Sequence, residues 1–264
     1  MHTFLELARA EFRRFSSYRM AVLAGVFTNS VFGFIRASVL LGAVDSAGGD
    51  LGGYDREQAS SYVWLGQALL ATVAIWGWSE IAERVKNGEI AVDLARPVDL
   101  YFSWWARDLG RAAFTLPARG LPPFLVGAVL MGVALPTTPA SYLLGVISVL
   151  LAASISFTIR FLINLAAFWV IDVRGLIGVM VVVTSFFCGL YVPVPLFPDW
   201  LRVVAYATPF PSILQFPIDV LSGRAEGLAG LQTIGVQAAW LAGLVLLSRI
   251  VLFRASRRLV VQGG

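Results

Sequence analysis

From Ser141 to Ile171 the chain runs through aliphatic, aromatic and small residues with one charge, Arg160. That is longer than the about 20 residues a helix needs to cross the about 30 Å hydrocarbon core of a bilayer. Composition extends the constraint to the whole chain. Of its 264 residues 58% are hydrophobic and 14% charged, and the mean hydropathy is +0.78, whereas soluble domains are about 45–50% apolar and about 25% charged. The sequence therefore reads as an all-α polytopic membrane protein, a single integral domain over 1–264 with room for six spans.

Scarce residues exclude several chemistries. Cys188 is the only cysteine and His2 the only histidine. An intrachain disulfide, a His/Cys metal cluster and a Cys/His nucleophile pair are thereby ruled out. Lys86 is the only lysine and stands between Val85 and Asn87. A phosphate-binding P-loop needs Gly-Lys-Ser/Thr, so this chain carries no ATPase site of that type. The net charge of +4 fits arginines held at a cytoplasmic membrane surface rather than a nucleic-acid partner.

Segment 1–19 places Phe4, Leu5, Ala8, Phe12 and Phe15 at helical spacing, with Glu6, Arg9 and Arg13 on another side. This predicts an amphipathic helix lying on the membrane. Spans are expected at Met20–Gly42, with Arg36 snorkelling from its far end, and at Ala59–Trp78. A third must begin before Leu121, kinked by Pro122 and Pro123, and end near Leu135. The fourth is Ser141–Ile171, the fifth Leu176–Val192 and the sixth Leu228–Phe253. With the termini on one side, 16 Lys and Arg fall inside and 3 outside, Arg36 set apart from the total of 20. That bias predicts cytoplasmic termini.

The cytoplasmic segment 79–111 contains NGEIAVDLARPVDL, Asn87 to Leu100. A helical extension of the second span, with Glu80/Arg84 and Glu83/Lys86 pairs, should stop at Asn87-Gly88. A short helix Glu89–Ala95 should follow, ended by Arg96-Pro97, and Asp99 can cap the next helix. Alternation from Glu89 to Leu94 also permits a strand. Glu89 and Asp93 are expected on an exposed, solvated face or against a basic partner rather than as an acid/base pair. Ile90 and Leu94 are expected to form an apolar seat. Arg160 and Asn164 share a helix face and either line a pathway or sit at the inner interface. Small residues Gly145, Ser148, Ala152 and Ser156 predict close helix packing within the chain.

The order of a surface helix, two spans, a loop with G-E-x-x-x-x-L-x-R-P, four spans and an outer P-x-x-x-x-P-x-W-L resembles the permease subunit of type-2 ABC exporters. The first motif is Gly88, Glu89, Leu94, Arg96 and Pro97; the second is Pro193, Pro198, Trp200 and Leu201. The resemblance covers nearly the whole chain. It implies a permease in the bacterial inner membrane that moves an amphipathic drug, lipid or glycoconjugate. It implies two copies of a separate ATPase, which holds the ATP and Mg, and no cofactor on this chain. It also implies a second permease, a related different chain being favoured over a second copy. The coupling residues would be Gly88, Glu89, Ile90, Asp93, Leu94, Arg96 and Pro97, with Asp172 and Arg174 as a second contact. Arg160, Asn164, Pro193, Pro198 and Trp200 would belong to the pathway or its gate, with 193–223 forming re-entrant helices at the outer face. The chain would itself be no enzyme. The alternative is a membrane protein of another class: a scaffold, a lipid-modifying enzyme or a secondary transporter.

Overall fold

The computed structural model describes residues 2–76, 78–170 and 172–258. Ile171, the end of the long apolar run, and 259–264 of the domain lie outside the described residues. Among the described residues the regular elements are all helices, with one isolated bridge between Leu51 and Tyr54. The helices are α1 (His2–Ser16), α2 (Arg19–Ser46), α3 (Arg56–Val73), α4 (Glu80–Lys86), α5 (Ile90–Ala95) and α6 (Leu100–Thr115). A π turn, Leu116–Gly120, joins α6 to α7 (Leu121–Met131). Then come α8 (Pro139–Leu165), α9 (Arg174–Phe187), α10 (Asp199–Tyr206), α11 (Gln215–Leu221) and α12 (Gly227–Ser256).

Among the described residues four helices are long and apolar enough to cross a membrane: Arg19–Ser46, Leu100–Met131, Pro139–Phe168 and Gly227–Ser256. The other two expected spans are the helices α3 and α9. Helix α3 stops at Val73 rather than Trp78, and Ala74 takes up a left-handed conformation (φ 48°) behind it. Its end is fixed by side chains that reach its last carbonyls. Arg111 donates to the Ala71 and Thr72 oxygens, the latter at 2.9 Å, and Ser156 donates to that of Val73. Helix α9 has 14 residues, about 21 Å at 1.5 Å per residue, and so ends short of the Val192 expected. The chain turns at Cys188–Leu190 instead. The Cys188 carbonyl accepts from the Gln215 amide (3.1 Å) and that of Leu190 from Arg36. Arg36 thus bonds inward rather than snorkelling.

The expected third span is part of a helix that begins at Leu100, just behind the expected cap Asp99, so Leu100–Arg111 of the segment 79–111 is continuous with it. Two of its charges are paired, Asp108 lying 3.0 Å from both Arg111 and Arg160, and the Arg107 guanidinium lies 4.7 Å from the Trp104 ring centre. The aromatic residues of this first half give α1 its seat. Phe4 meets Trp105 and Phe12 meets Phe114 edge-on, at 5.5 and 5.4 Å between centroids. Gly110 allows the contact, since a Cβ there would collide with the Ala8 carbonyl.

Helix α3 is the centre of the fold, buried along nearly its whole length and packed by α2, α6, α7, α8 and α11. The small-residue face of α8 packs within the chain. Gly145 sits against Leu221, and the Ser148 hydroxyl donates across to the Gln237 amide oxygen of α12 at 2.8 Å. Gln237, fully buried, also donates to the Ser212 carbonyl at 2.9 Å. One amide therefore ties α12, α8 and the turn at Phe210–Ser212 together.

Candidate functional site

The sequence between α3 and α6 folds as an elbow, α4 and α5 joined by Asn87–Glu89. Helix α4 ends at Lys86, and Gly88 adopts φ +76°, a conformation that disfavours any side chain. Helix α5 spans Ile90–Ala95, within one residue of the expected start, and Arg96 is extended ahead of Pro97. The strand alternative for Glu89–Leu94 is not what forms. Asp99 caps α6 by accepting from the Phe102 amide at 2.9 Å.

The elbow is fastened inward at two places. Asn164 of α8 is fully buried; its Oδ1 accepts from the Ala82 amide (3.0 Å), and its Nδ2 donates to the Trp78 carbonyl (2.7 Å). Ser79, the residue at the cap position of α4, bonds the Glu83 side chain instead. A side chain from another helix thus satisfies an α4 amide that its own cap residue leaves free. Ile81 and Ile90 then bury themselves among Leu100, Tyr101, Trp104 and Phe157. Around them Tyr101 meets Phe161 and Trp78 meets Trp104, at 5.3 and 5.2 Å between centroids. Edge-on aromatic pairs of this kind are worth about 0.5–1.5 kcal/mol beyond the area they bury.

A salt-bridge clasp closes the elbow on itself. Arg84 donates to Asp93 at 2.5 Å and to Glu89 at 2.8 Å, and Arg96 reaches Asp93 at 3.5 Å. The hydrogen bond to Asp93 holds the Arg84 guanidinium above its ordinary value. This corrects two expectations. Arg84 pairs across the turn rather than with Glu80 along its own helix. Asp93, expected on the exposed face, is 8% exposed because it is the far half of that clasp.

Ile90 is also not available as an outward seat, being 1% exposed. The residues that do face out are Glu89, Val92, Arg96, Pro97 and Val98, with Val92 57% exposed. Helical spacing could have separated the two faces. Positions 90, 93 and 94 share one side of α5, while 89, 92 and 96 share the other. Leu94 is half-buried between them.

The second expected contact lies at the same end of the molecule. Helix α4 packs on the short turn Ala166–Phe168 that ends α8. Asp172 then starts α9 by accepting from the Arg174 amide (2.9 Å) and pairing its exposed guanidinium (3.0 Å). That backbone bond is the main reason the Asp172 carboxyl stays below its usual value, and the Lys86 charge adds to it. Asp99 pairs with Arg249, which brings the last turns of α12 to this end too.

Arg160 and Asn164 are occupied within the fold. Arg160 pairs with Asp108, with its guanidinium 5.9 Å from the Trp78 ring centre. Sequence reasoning missed Asp108: of its two partners Arg111 is three residues on in the same helix, but Arg160 lies on α8. At the opposite end Pro193 precedes a single turn, Val194–Leu196, and Pro198 precedes α10, whose Trp200 is 69% exposed. Here the missed residue is Gln215, fully buried. It accepts from the Val194 amide (2.9 Å) and the Tyr62 hydroxyl (3.0 Å), and donates to the Tyr54 hydroxyl (3.1 Å) and to Asp219 (2.9 Å). Pro193, Pro198 and Trp200 are thus held apart from Arg160 and Asn164 rather than gathered into one cluster.

A family model described as "ABC-2 family transporter protein" matches residues 14–263, nearly the whole chain. No curated protein matches the sequence.

Proposed function

This chain belongs to the ABC-2 transporter family, and we propose that it is the permease subunit of an ATP-driven exporter whose α4–α5 elbow receives the stroke of a separate ATPase. The observation that carries this is the two-sidedness of the elbow. Its inner face is bolted to α8 through Asn164 and to α6 through Ile81 and Ile90, while its outer face offers Glu89, Val92, Arg96 and Val98. A force applied to Val92 meets a rigid clasp and passes to two long helices. Asp172 and Arg174, beside α4, supply the second contact. Arg160 and Asn164 act on this reading as positioning residues for the elbow rather than as a gate.

Family and composition support the rest of the reading. The chain crosses the bacterial inner membrane six times, through α2, α3, α6–α7, α8, α9 and α12, with cytoplasmic termini and with α10 and α11 re-entrant at the outer face. Residues 1–264 act as one transmembrane unit. Two ATPase copies bind ATP and Mg, and this chain binds no cofactor and hydrolyses nothing itself. A related second permease completes the pathway, and the exposed apolar faces of α2 (Phe27, Ile35) and α9 (Val179, Val182) are available to it. The substrate is amphipathic, a drug, lipid or glycoconjugate, as the scarcity of charge in the helices favours. A membrane protein outside this family is no longer an alternative, given the match.

The test is deletion of Glu89–Pro97 in the tagged chain. Loss of the co-purifying ATPase, with the chain still inserted, supports the reading. Undiminished ATPase capture and transport overturn it.

A further inference from the structure

An apolar groove runs between α6–α7 and α8, away from the elbow. It consists of two adjoining cavities of about 430 and 400 Å³ that share Leu116, Val149 and Leu150. The π turn at Leu116–Gly120 lies in one wall, and α3 contributes Leu65, Ala68 and Thr72 to the lining. Only three side chains along it carry polar atoms: Arg9 and Arg13 of α1 and Thr72. Among the described residues Arg13 makes no ion pair, while Arg9 holds only the exposed Glu6. Thr72 is 2% exposed, and its hydroxyl lacks a hydrogen-bond partner.

We propose that this groove is a binding site for an anionic glycerophospholipid, with the headgroup on Arg9 and Arg13 and an acyl chain along Leu116, Val149 and Leu150. The walls belong to helices long and apolar enough to cross a bilayer, so hydrocarbon is the solvent on that side. An acyl chain laid along an apolar trough gains dispersion contacts with its lining. Charge selects the headgroup. Two arginines at the end formed by an amphipathic surface helix are placed to meet a phosphate and disfavour a lipid without net negative charge. Thr72, buried and unpartnered, supplies a donor for an ester carbonyl. The site does not depend on the coupling reading, because every residue that forms it lies away from the elbow.

The full chain, reconstituted in phosphatidylethanolamine vesicles, is irradiated with phosphatidylglycerol carrying a diazirine in its acyl chain. Phosphatidylcholine with the same chain is the control. Adducts are expected on Leu109–Leu116 and Val149–Ala153, several-fold more from the glycerol lipid. Arg9→Ala combined with Arg13→Ala should bring that yield down to the choline level. Ala113→Trp, which fills the groove from an exposed position, should remove the groove adducts without changing the elution profile. Adducts spread evenly over the exposed faces of α2 and α12, or equal labelling by both lipids, overturn the proposal. So does a groove sealed to both probes when the chain is purified with its partners, which would assign it to a partner's helix.

Discussion

The smallest unit that decides the behaviour of this molecule is a single amide, Asn164. It satisfies an α4 amide and the Trp78 carbonyl together, so Asn164→Leu strands both in a poorly hydrated place. Each group left unsatisfied costs about 1–3 kcal/mol. Thermal unfolding in detergent should show a lowered midpoint, and ATP hydrolysis in the assembled complex should lose its dependence on substrate. Val92 is the opposite case. At 57% exposed it holds nothing inside the chain, and surface substitutions of this kind shift stability by about 0.5 kcal/mol or less. Val92→Glu should therefore leave the unfolding midpoint in place and abolish capture of the ATPase.

At the scale of the element, the clasp makes α4 and α5 one body. Removing Asp93 leaves Arg84 with the exposed Glu89 alone, and removing Arg84 leaves the buried Asp93 carboxylate held only by Arg96. A double-mutant cycle with Arg84→Ala and Asp93→Ala should return a coupling of about 0.5–3 kcal/mol. Gly88→Ala acts on the same joint through its positive φ and should destabilise by more than about 1 kcal/mol. Hydrogen exchange is expected to quicken in α5 while α8 stays protected. Much of this element was legible because its signals are local. The Asn87-Gly88 stop, the Arg96-Pro97 break and the Asp99 cap each depend on neighbours in sequence. What could not be read depends on distant partners. The pairing of Asp108 and Arg111 shows only once Arg160 and the last carbonyls of α3 are brought beside them. The early end of α9 and the buried clasp residue Asp93 are hidden for the same reason.

For the whole molecule the account places the elbow, the Asp172 turn and the end of α12 on the cytoplasmic side, and α10 with Trp200 outside. Cys188 is fully buried, so it gives little background with an impermeant maleimide. With Cys188→Ala as the parent, Val92→Cys should label only in inverted vesicles and Trp200→Cys only in intact cells. Labelling of both from one side would remove the six-pass arrangement. Membrane character and the sites of the long helices were visible from apolar run lengths, because bilayer thickness imposes them. The outer network around Gln215 was not, because Tyr54, Tyr62 and Val194 reach it from three separate stretches. The central claim is that this chain takes its energy from an ATPase bound at the elbow. The direct measurement is co-purification of the tagged chain from its host in mild detergent, wild type beside Val92→Glu. The account predicts a P-loop ATPase with the wild type and none with the folded variant; no ATPase with the wild type, or an equal amount with both, would contradict it.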